Sequence, residues 1–225
     1  MISSDSSRRR FLRTAAAAAP LSALGALAPP ASARPRPPRH WSGDWPADLT
    51  DAVERAMPVA ADWAREARWP YGAVLVDVGG GAVVAGARNT TDIFGDPTAH
   101  AEVNLLRKAA EAGLDLSSHV VVATAEPCAM CAGALLWSRV WGVAYGTSVA
   151  KLITYGISQI DLSFTAIAER SRLTGQPAVA CDVRPDLTDP LYRRLMGPTA
   201  DAAHRSARRR PPAHRGGPVR TIEYV

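Results

Sequence analysis

The run His-Val-Val-Val-Ala-Thr at residues 119–124 is the feature that most constrains the fold. A strand that is apolar along its whole length is typical of a sheet covered on both faces, because neither of its sides is suited to water. Helices are predicted on either side of this run, over 99–112, which ends at Gly113, and over 127–138, which begins at Pro127. The chain therefore needs a sheet between two helical layers.

The other predicted elements continue this alternation of strands and helices. We predict further strands over 71–78, 82–87, 140–145 and 177–183, and further helices over 49–68, 164–172 and 190–196. The three glycines at 79–81 indicate a hairpin between the first two strands. Residues 89–98 are predicted to form a loop, and Pro58 is expected to kink the first helix or divide it into two. The pattern predicts an α/β fold.

The charge distribution argues against a nucleic-acid-binding core. The 225 residues carry a net charge of +5, from 26 Lys and Arg against 21 Asp and Glu. Segments 1–33, 34–40 and 198–225 carry +3, +3 and +4, which leaves −5 for residues 41–197. A domain that holds a phosphate backbone normally has a basic face. We therefore expect a small-molecule substrate.

No uninterrupted apolar stretch of the sequence is long enough for a membrane span.

The N-terminal segment has the features of an export signal. Arg8 and Arg9 precede a moderately apolar, Ala-rich stretch at 14–27, and Ala31-Ser32-Ala33 fits a cleavage site. This segment resembles a twin-arginine signal, which implies export to the periplasm or the cell exterior. The predicted organisation is a signal peptide at 1–33, a Pro- and Arg-rich linker at 34–46, a domain at 47–197 and a mostly disordered tail at 198–225.

Two short patterns, each at a predicted helix start, carry side chains suited to chemistry: His100-Ala101-Glu102 and Pro127-Cys128-Ala129-Met130-Cys131. The two cysteines are three residues apart, so they share a helix face, and a helix start favours their thiolate forms. Two thiolates and an imidazole suit Zn²⁺, and three protein ligands leave a fourth position for water. Glu102 is close enough to transfer that water's proton.

Each pattern alone has another interpretation. His-x-Glu occurs by chance, and Pro-Cys-x-x-Cys is also found in redox pairs and as half of a structural zinc site. A purely structural site would favour four protein ligands and no adjacent carboxylate. The two patterns together therefore predict a catalytic zinc site.

The combination His-x-Glu and Pro-Cys-x-x-Cys is the signature of zinc nucleobase deaminases. The chain resembles the cytidine/deoxycytidylate deaminase superfamily, in particular the branch with guanine deaminase, cytosine deaminase and tRNA adenosine deaminase. Matching stretches are 72–76, 96–102 and 126–134. The resemblance implies a three-layer α/β/α sandwich with a five-stranded mixed sheet, and it implies a homodimer.

The resemblance also assigns roles to individual residues. The zinc ligands are His100, Cys128 and Cys131, the proton shuttle is Glu102, and the substrate-binding residues are Asn89, Tyr71 and Trp137. Asn89 lies 11 residues before His100, where this branch has an Asn that hydrogen-bonds the base. Asn is also an ordinary turn residue, and the two aromatics also suit a core, so these alternatives stay open.

The expected reaction is hydrolytic release of ammonia from a nucleobase or nucleoside, with a guanine-type purine favoured. The chain departs from guanine deaminases after Gly156, where Ile157-Ser158-Gln159 stands in place of paired Asp residues. Alternatives are a tRNA adenosine deaminase or a cytosine deaminase, or a secreted zinc-binding module without catalysis. Export would separate the protein from intracellular tRNA.

Overall fold

A computed structural model describes residues 45–196 of the chain. The predicted signal peptide, nearly all of the predicted linker and the predicted tail lie outside the described residues. The described part contains one five-stranded sheet in the order β2-β1-β3-β4-β5. Its strands are β1 (Gly72–Asp77), β2 (Val83–Arg88), β3 (His119–Ala125), β4 (Gly142–Thr147) and β5 (Ala178–Ala180).

The sheet is mixed. Strand β1 pairs antiparallel with both β2 and β3, whereas β3, β4 and β5 are parallel to one another. The parallel strands end at the same edge of the sheet, and the loops that leave this edge carry the site described below.

Helices cover both faces of the sheet. They are α1 (Ala47–Arg65), α2 (Thr91–Phe94), α3 (Ala101–Glu111), α4 (Ala129–Ser138), α5 (Val149–Thr154), α6 (Phe164–Arg170) and α7 (Pro185–Arg193), with 3₁₀ turns at Leu116–Ser118 and Arg194–Met196. Helix α1 packs on one face, against alternate side chains such as Val74 and Val122. Helices α3, α4 and α6 pack on the other, against Leu75 and Val121 among others. This arrangement confirms the predicted three-layer α/β/α sandwich with a five-stranded mixed sheet.

Helix α1 continues through Pro58 as one helix of 19 residues, so of the two expected effects of Pro58, a kink or a division, the division is wrong. Pro58 removes one backbone hydrogen bond. The side chains around it, including Met57 and Ala60, are fully buried against the sheet, and this packing offsets the loss. Gly72 allows the close approach of α1 to β1, because a Cβ at this position would lie 2.2 Å from the carbonyl oxygen of Ala60.

Other predicted boundaries differ in the short elements. The predicted loop 89–98 contains α2, which has four residues and ends at Gly95 in the left-handed region (φ 65°). Helix α5 has six residues and was not predicted, because so short a helix shows no clear periodicity. Helix α7 begins at Pro185 rather than at Pro190. Across the part of the chain that the structure describes, no helix is both long and apolar enough to cross a membrane.

Candidate active site

The structure brings the three predicted metal ligands together. His100 directly precedes α3, Cys128 directly precedes α4, and Cys131 lies in the first turn of α4. Nδ1 of His100 is 3.6 Å from each of the two sulfurs. The ligand atoms of all three residues lie within 4.8 Å of one another. We call these residues the metal-ligand group.

The donor set of this group fits a zinc ion. Zinc favours sulfur and imidazole nitrogen ligands in tetrahedral arrangements, and a catalytic zinc site uses three protein ligands. Among the described residues, the group contains three members. Its chemistry and its spacing therefore match a site that keeps one position for water or substrate.

The two thiols differ in their titration. Hydrogen bonding with Cys131, and then with His100, lowers the pKa of Cys128 to about 4. The same thiol–thiol contact, together with burial, raises the pKa of Cys131. A divalent cation between the two sulfurs would favour the thiolate form of both residues.

Glu102 lies in the first turn of α3, beside the metal-ligand group. Its side chain is buried, and the Cys131 thiol donates to Oε2 over 3.5 Å. Burial raises the pKa of Glu102. A carboxyl group in this position can hold a proton and release it to a neighbouring atom, which is what an acid/base role requires.

A cavity of about 590 Å³ opens next to these residues. His100, Cys128 and Glu102 line it, as do Asn89 and Tyr71, two of the three residues predicted to bind substrate. None of the lining residues within the described chain is Lys or Arg. The cavity is thus lined by neutral polar, apolar and acidic groups, together with the imidazole of His100.

Asn89 is buried and has one end of its amide already occupied. Oδ1 accepts hydrogen bonds from the backbone N–H of Thr91 over 3.1 Å and from the Thr91 hydroxyl over 2.8 Å. Within residues 45–196, no bond of the Asn89 NH₂ group is present, so this group is the donor for a molecule in the cavity. The side chain therefore acts in the turn, as the alternative interpretation held, and it also lines the cavity.

Asn104 of α3 bonds to the residues on both sides of Asn89, through the backbone of Arg88 and the side chain of Thr90, and sequence reasoning missed it. Its Nδ2 lies 3.0 Å from the carbonyl oxygen of Arg88, 2.9 Å from the hydroxyl of Thr90 and 3.1 Å from the carbonyl oxygen of Ala99. These contacts fix the strand end that carries Asn89 to the residue before His100. An Asn inside a helix gives no sequence signal of such a role.

Tyr71 forms part of the cavity at the start of β1. Its ring lies 5.2 Å from that of Tyr192. Burial, followed by the nearby Glu102 and Cys128, raises the pKa of Tyr71, so its hydroxyl stays protonated. The side chain of Gln159 hydrogen-bonds with this hydroxyl.

Trp137 does not lie in the cavity of this chain. It is on α4 with 74% of its surface exposed, and it is not among the lining residues. The core alternative for Trp137 does not hold either, because the side chain faces outward. Its place six residues after Cys131 puts it on the outer part of the helix.

A further part of the cavity wall was not predicted. It is formed by Ile157, Ser158, Gln159 and Ile160, which we call the distal wall. These residues lie between α5 and α6. The sequence singled out 157–159 only as a departure from a known pattern, because a non-helical segment gives no signal of what it faces.

Comparison with known proteins agrees with this geometry. The model of the cytidine and deoxycytidylate deaminase zinc-binding region matches residues 48–147. A tRNA-specific adenosine deaminase of Agrobacterium fabrum is 37% identical over 112 residues, which cover 47% of this chain and 69% of that protein. Guanine deaminase of Bacillus subtilis is 41% identical over 78 residues, which cover 34% of this chain and 49% of that protein.

Among solved structures, one from a study of A-to-I editing by tRNA:A34 deaminases is similar with a TM-score of 0.52 and 30% identity. The similarity covers 61% of this chain and 98% of that one. The chain spans about half or less of the length of several other curated relatives that it matches. Because it matches a relative at 37% identity over 69% of that protein's length, and because Glu102 lies beside the metal-ligand group, the chain belongs to the cytidine and deoxycytidylate deaminase family.

Proposed function

We propose that the protein is a zinc-dependent hydrolytic deaminase that releases ammonia from a free nucleobase or nucleoside, with guanine-type purines favoured. One observation carries this proposal: the buried Glu102 carboxyl group lines the same cavity as two of the three metal ligands, His100 and Cys128. A purely structural metal site needs neither a cavity nor a buried carboxyl group beside its ligands.

The side chains of this cavity supply the steps of a hydrolysis. His100, Cys128 and Cys131 would hold the zinc ion. Bound zinc would supply Lewis acidity, which lowers the pKa of a water molecule toward neutrality. Glu102 takes a proton from the attacking water and delivers it to the ring nitrogen next to the amine-bearing carbon. It then takes the second proton, from the hydroxyl group that the attack has added to this carbon, and passes it to the departing amine, so that the C–N bond breaks, a C=O bond forms and ammonia leaves. Asn89 orients the base through its free NH₂ group.

The composition of the cavity supports a small, uncharged substrate. Its volume is within the range of about 300–1,000 Å³ that is usual for small-molecule sites. A phosphate group would find no Lys or Arg among the described lining residues. The hydrogen-bonding groups of Asn89, Ser158 and Gln159 suit the edge of a base.

A second candidate, deamination of adenosine in tRNA, is favoured by the comparisons. Relatives matched over much of their length include a tRNA-specific adenosine deaminase. The acidic charge of residues 41–197 opposes this candidate, because tRNA binding needs cations near the site. Cytosine is a third substrate to test.

Ammonia release from a panel separates these candidates. The panel contains guanine, adenine, cytosine, their nucleosides and unmodified tRNA, each with the zinc-loaded protein and with protein treated with a chelator. We expect release from a free purine or purine nucleoside that chelation abolishes. Release from tRNA alone would favour the second candidate. Bound zinc without ammonia from any substrate would identify a non-catalytic zinc-binding module.

We also propose that the protein acts as a homodimer. The resemblance supports this state, and so does the outward-facing apolar side chain of Trp137 on α4. Sedimentation equilibrium of the wild-type protein and of the Trp137→Ser variant tests it. A dimeric wild type and a weakened dimer in the variant are expected, whereas a monomeric wild type would contradict the proposal.

Export by the twin-arginine route is a separate proposal, which rests on Arg8, Arg9 and the segment up to Ala33. Folding before export would let zinc occupy Cys128 and Cys131 before an oxidising compartment could pair them. The double variant Arg8→Lys, Arg9→Lys should stay in the cytoplasm, folded, zinc-loaded and active. Its appearance outside the cytoplasm in normal amounts would overturn the signal assignment, and retained protein without zinc would overturn loading before export.

A further inference from the structure

The side chain of Glu126 connects two helices that are distant from it in sequence. Its carboxylate is buried. Oε2 accepts the backbone N–H of Val149 over 2.7 Å, and Oε1 accepts the backbone N–H of Phe164 over 2.8 Å. Val149 is the first residue of α5, and Phe164 is the first residue of α6. One carboxylate therefore fixes the starts of both helices.

These bonds do more than satisfy the two helix starts. Each helix has its own serine cap: Ser148 accepts the N–H of Lys151, and Ser163 accepts the N–H of Ala166. Local residues therefore already perform the usual capping. What Glu126 adds is a connection between α5 and α6.

The connected helices enclose the distal wall. Residues 155–163 run from the end of α5 to the start of α6, and four of them, 157–160, line the cavity. Gln159 of this wall reaches the hydroxyl of Tyr71. The position of the wall relative to the rest of the cavity therefore depends on what holds the starts of α5 and α6.

Glu126 is itself held next to the metal-ligand group. It lies two residues before Cys128. Its backbone N–H donates to the carbonyl oxygen of Thr147 over 2.8 Å, which joins the end of β3 to the end of β4. A single residue thus links the turn that carries the metal ligands to another segment that lines the same cavity.

We propose that Glu126 is a positioning residue that sets the distance between the distal wall and the metal-ligand group, and through this distance the selectivity among bases. It acts through two backbone amides, and it transfers no proton. The part that concerns selectivity rests on the proposed deaminase function, whereas the part that concerns position does not.

The Glu126→Gln variant removes one of the two connections at nearly constant size. The amide of Gln has only one acceptor oxygen, so it can accept from one of the two backbone N–H groups. Its NH₂ group would face the other N–H, either that of Val149 or that of Phe164, and this hydrogen bond would be lost. Tyr145→Phe is a matched control. The Tyr145 hydroxyl contacts the same carboxylate, and its removal leaves both backbone connections in place.

Hydrogen exchange of the full-length, zinc-loaded protein tests the position. In Glu126→Gln we expect exchange over 149–164 to accelerate on the order of 10- to 100-fold, the range for losing a hydrogen bond to a charged group. Exchange of β3 residues 120–124 should not change. Tyr145→Phe should leave 149–164 as in the wild type. Unchanged exchange in Glu126→Gln, or an equal effect of both variants, would overturn the proposal.

Kinetics and metal content test the consequence. We expect Glu126→Gln to keep its zinc, to raise KM for the best base about 10-fold and to change the ranking of bases, with kcat within about 3-fold of the wild type. A fall in kcat with unchanged KM and ranking would overturn the positioning role.

If the wild type releases no ammonia, the proposed function fails, and the hydrogen-exchange comparison alone tests whether Glu126 positions the distal wall. If Glu126→Gln does not fold, Glu126→Asp keeps both acceptors on a shorter side chain and is judged by the same measurements.

Discussion

The two sides of the cavity are built in different ways. On one side, His100, Glu102 and Cys128 stand at the starts of α3 and α4. On the other side, the distal wall lies between two short helices, and a carboxylate 38 residues before Phe164 holds it. The residues that carry the chemistry therefore come from two short patterns, whereas the distal wall depends on a contact between residues that are distant in sequence.

This difference indicates how one reaction can serve several substrates. The curated relatives include a guanine deaminase, a probable cytosine deaminase and a tRNA-specific adenosine deaminase. A wall outside the ligand-bearing helices can change without moving the metal ligands. Substitutions on the two sides should therefore affect different kinetic constants, kcat on the side of the ligands and KM on the side of the wall.

The largest effect is expected for Glu102→Gln. Only the proton-transfer group changes, so kcat should fall by roughly 10²–10⁴-fold while zinc content and fold are retained. Glu111→Gln, at the exposed end of the same helix, is the matched control and should behave as the wild type. Ammonia release and zinc analysis check both variants, and a near-normal kcat in Glu102→Gln would remove the acid/base role.

Asn89→Ala should have the next largest effect. The base loses a hydrogen bond worth about 1–3 kcal/mol when its partner is left unpaired, so kcat/KM should fall by roughly 10- to 100-fold and by different factors for different bases. Thr91→Val is the control, because it removes only the hydroxyl that donates to Asn89 Oδ1. Equal losses in both variants would mean that Asn89 acts through the turn alone.

The residues of the ligand side could be predicted because their pattern is contained in two short segments. His100, Cys128 and Cys131 occupy positions directly at helix starts, where residue type and position together determine what a side chain can reach. Asn104 and Glu126 hold partners 16 and 38 residues away, and neither spacing has any periodicity that a sequence reader could use.

The elements of the fold also divide into those that a local pattern predicts and those that it does not. The five strands were predicted because apolar runs such as Val120–Ala123 are distinctive. Helix α5 was missed, and residues 89–98 were predicted as a simple loop, because elements of four to six residues depend on tertiary contacts rather than on their own pattern. The distal wall follows one of these short elements, so its role was beyond prediction.

Asn104→Ala should have a smaller effect on activity, through the positions of Asn89 and His100. Removing its NH₂ group leaves the carbonyl oxygens of Arg88 and Ala99 without this donor, which should lower the free energy of unfolding by about 1–3 kcal/mol. Because Asn89 and His100 both follow residues that Asn104 holds, kcat/KM should fall about 10-fold. Urea unfolding and steady-state kinetics measure the two effects. Unfolding unchanged from the wild type would contradict the role of these contacts.

The smallest effect is expected for Gln159→Glu, which changes the distal wall alone. A carboxylate at this position provides acceptors in the cavity, where the family pattern of guanine deaminases has acidic residues. It should favour bases that present N–H donors, so the ratio of kcat/KM for guanine to that for cytosine should rise by roughly 3- to 10-fold. Zinc content and kcat for the best base should not change, because the ligands and Glu102 stay in place.

Gln159→Ala is the control, because it removes the contact with Tyr71 without adding charge. It should not raise the ratio of kcat/KM for guanine to that for cytosine. A uniform loss for every base in Gln159→Glu would show that residue 159 does not select among substrates, and that the two sides of the cavity are less independent than their construction indicates.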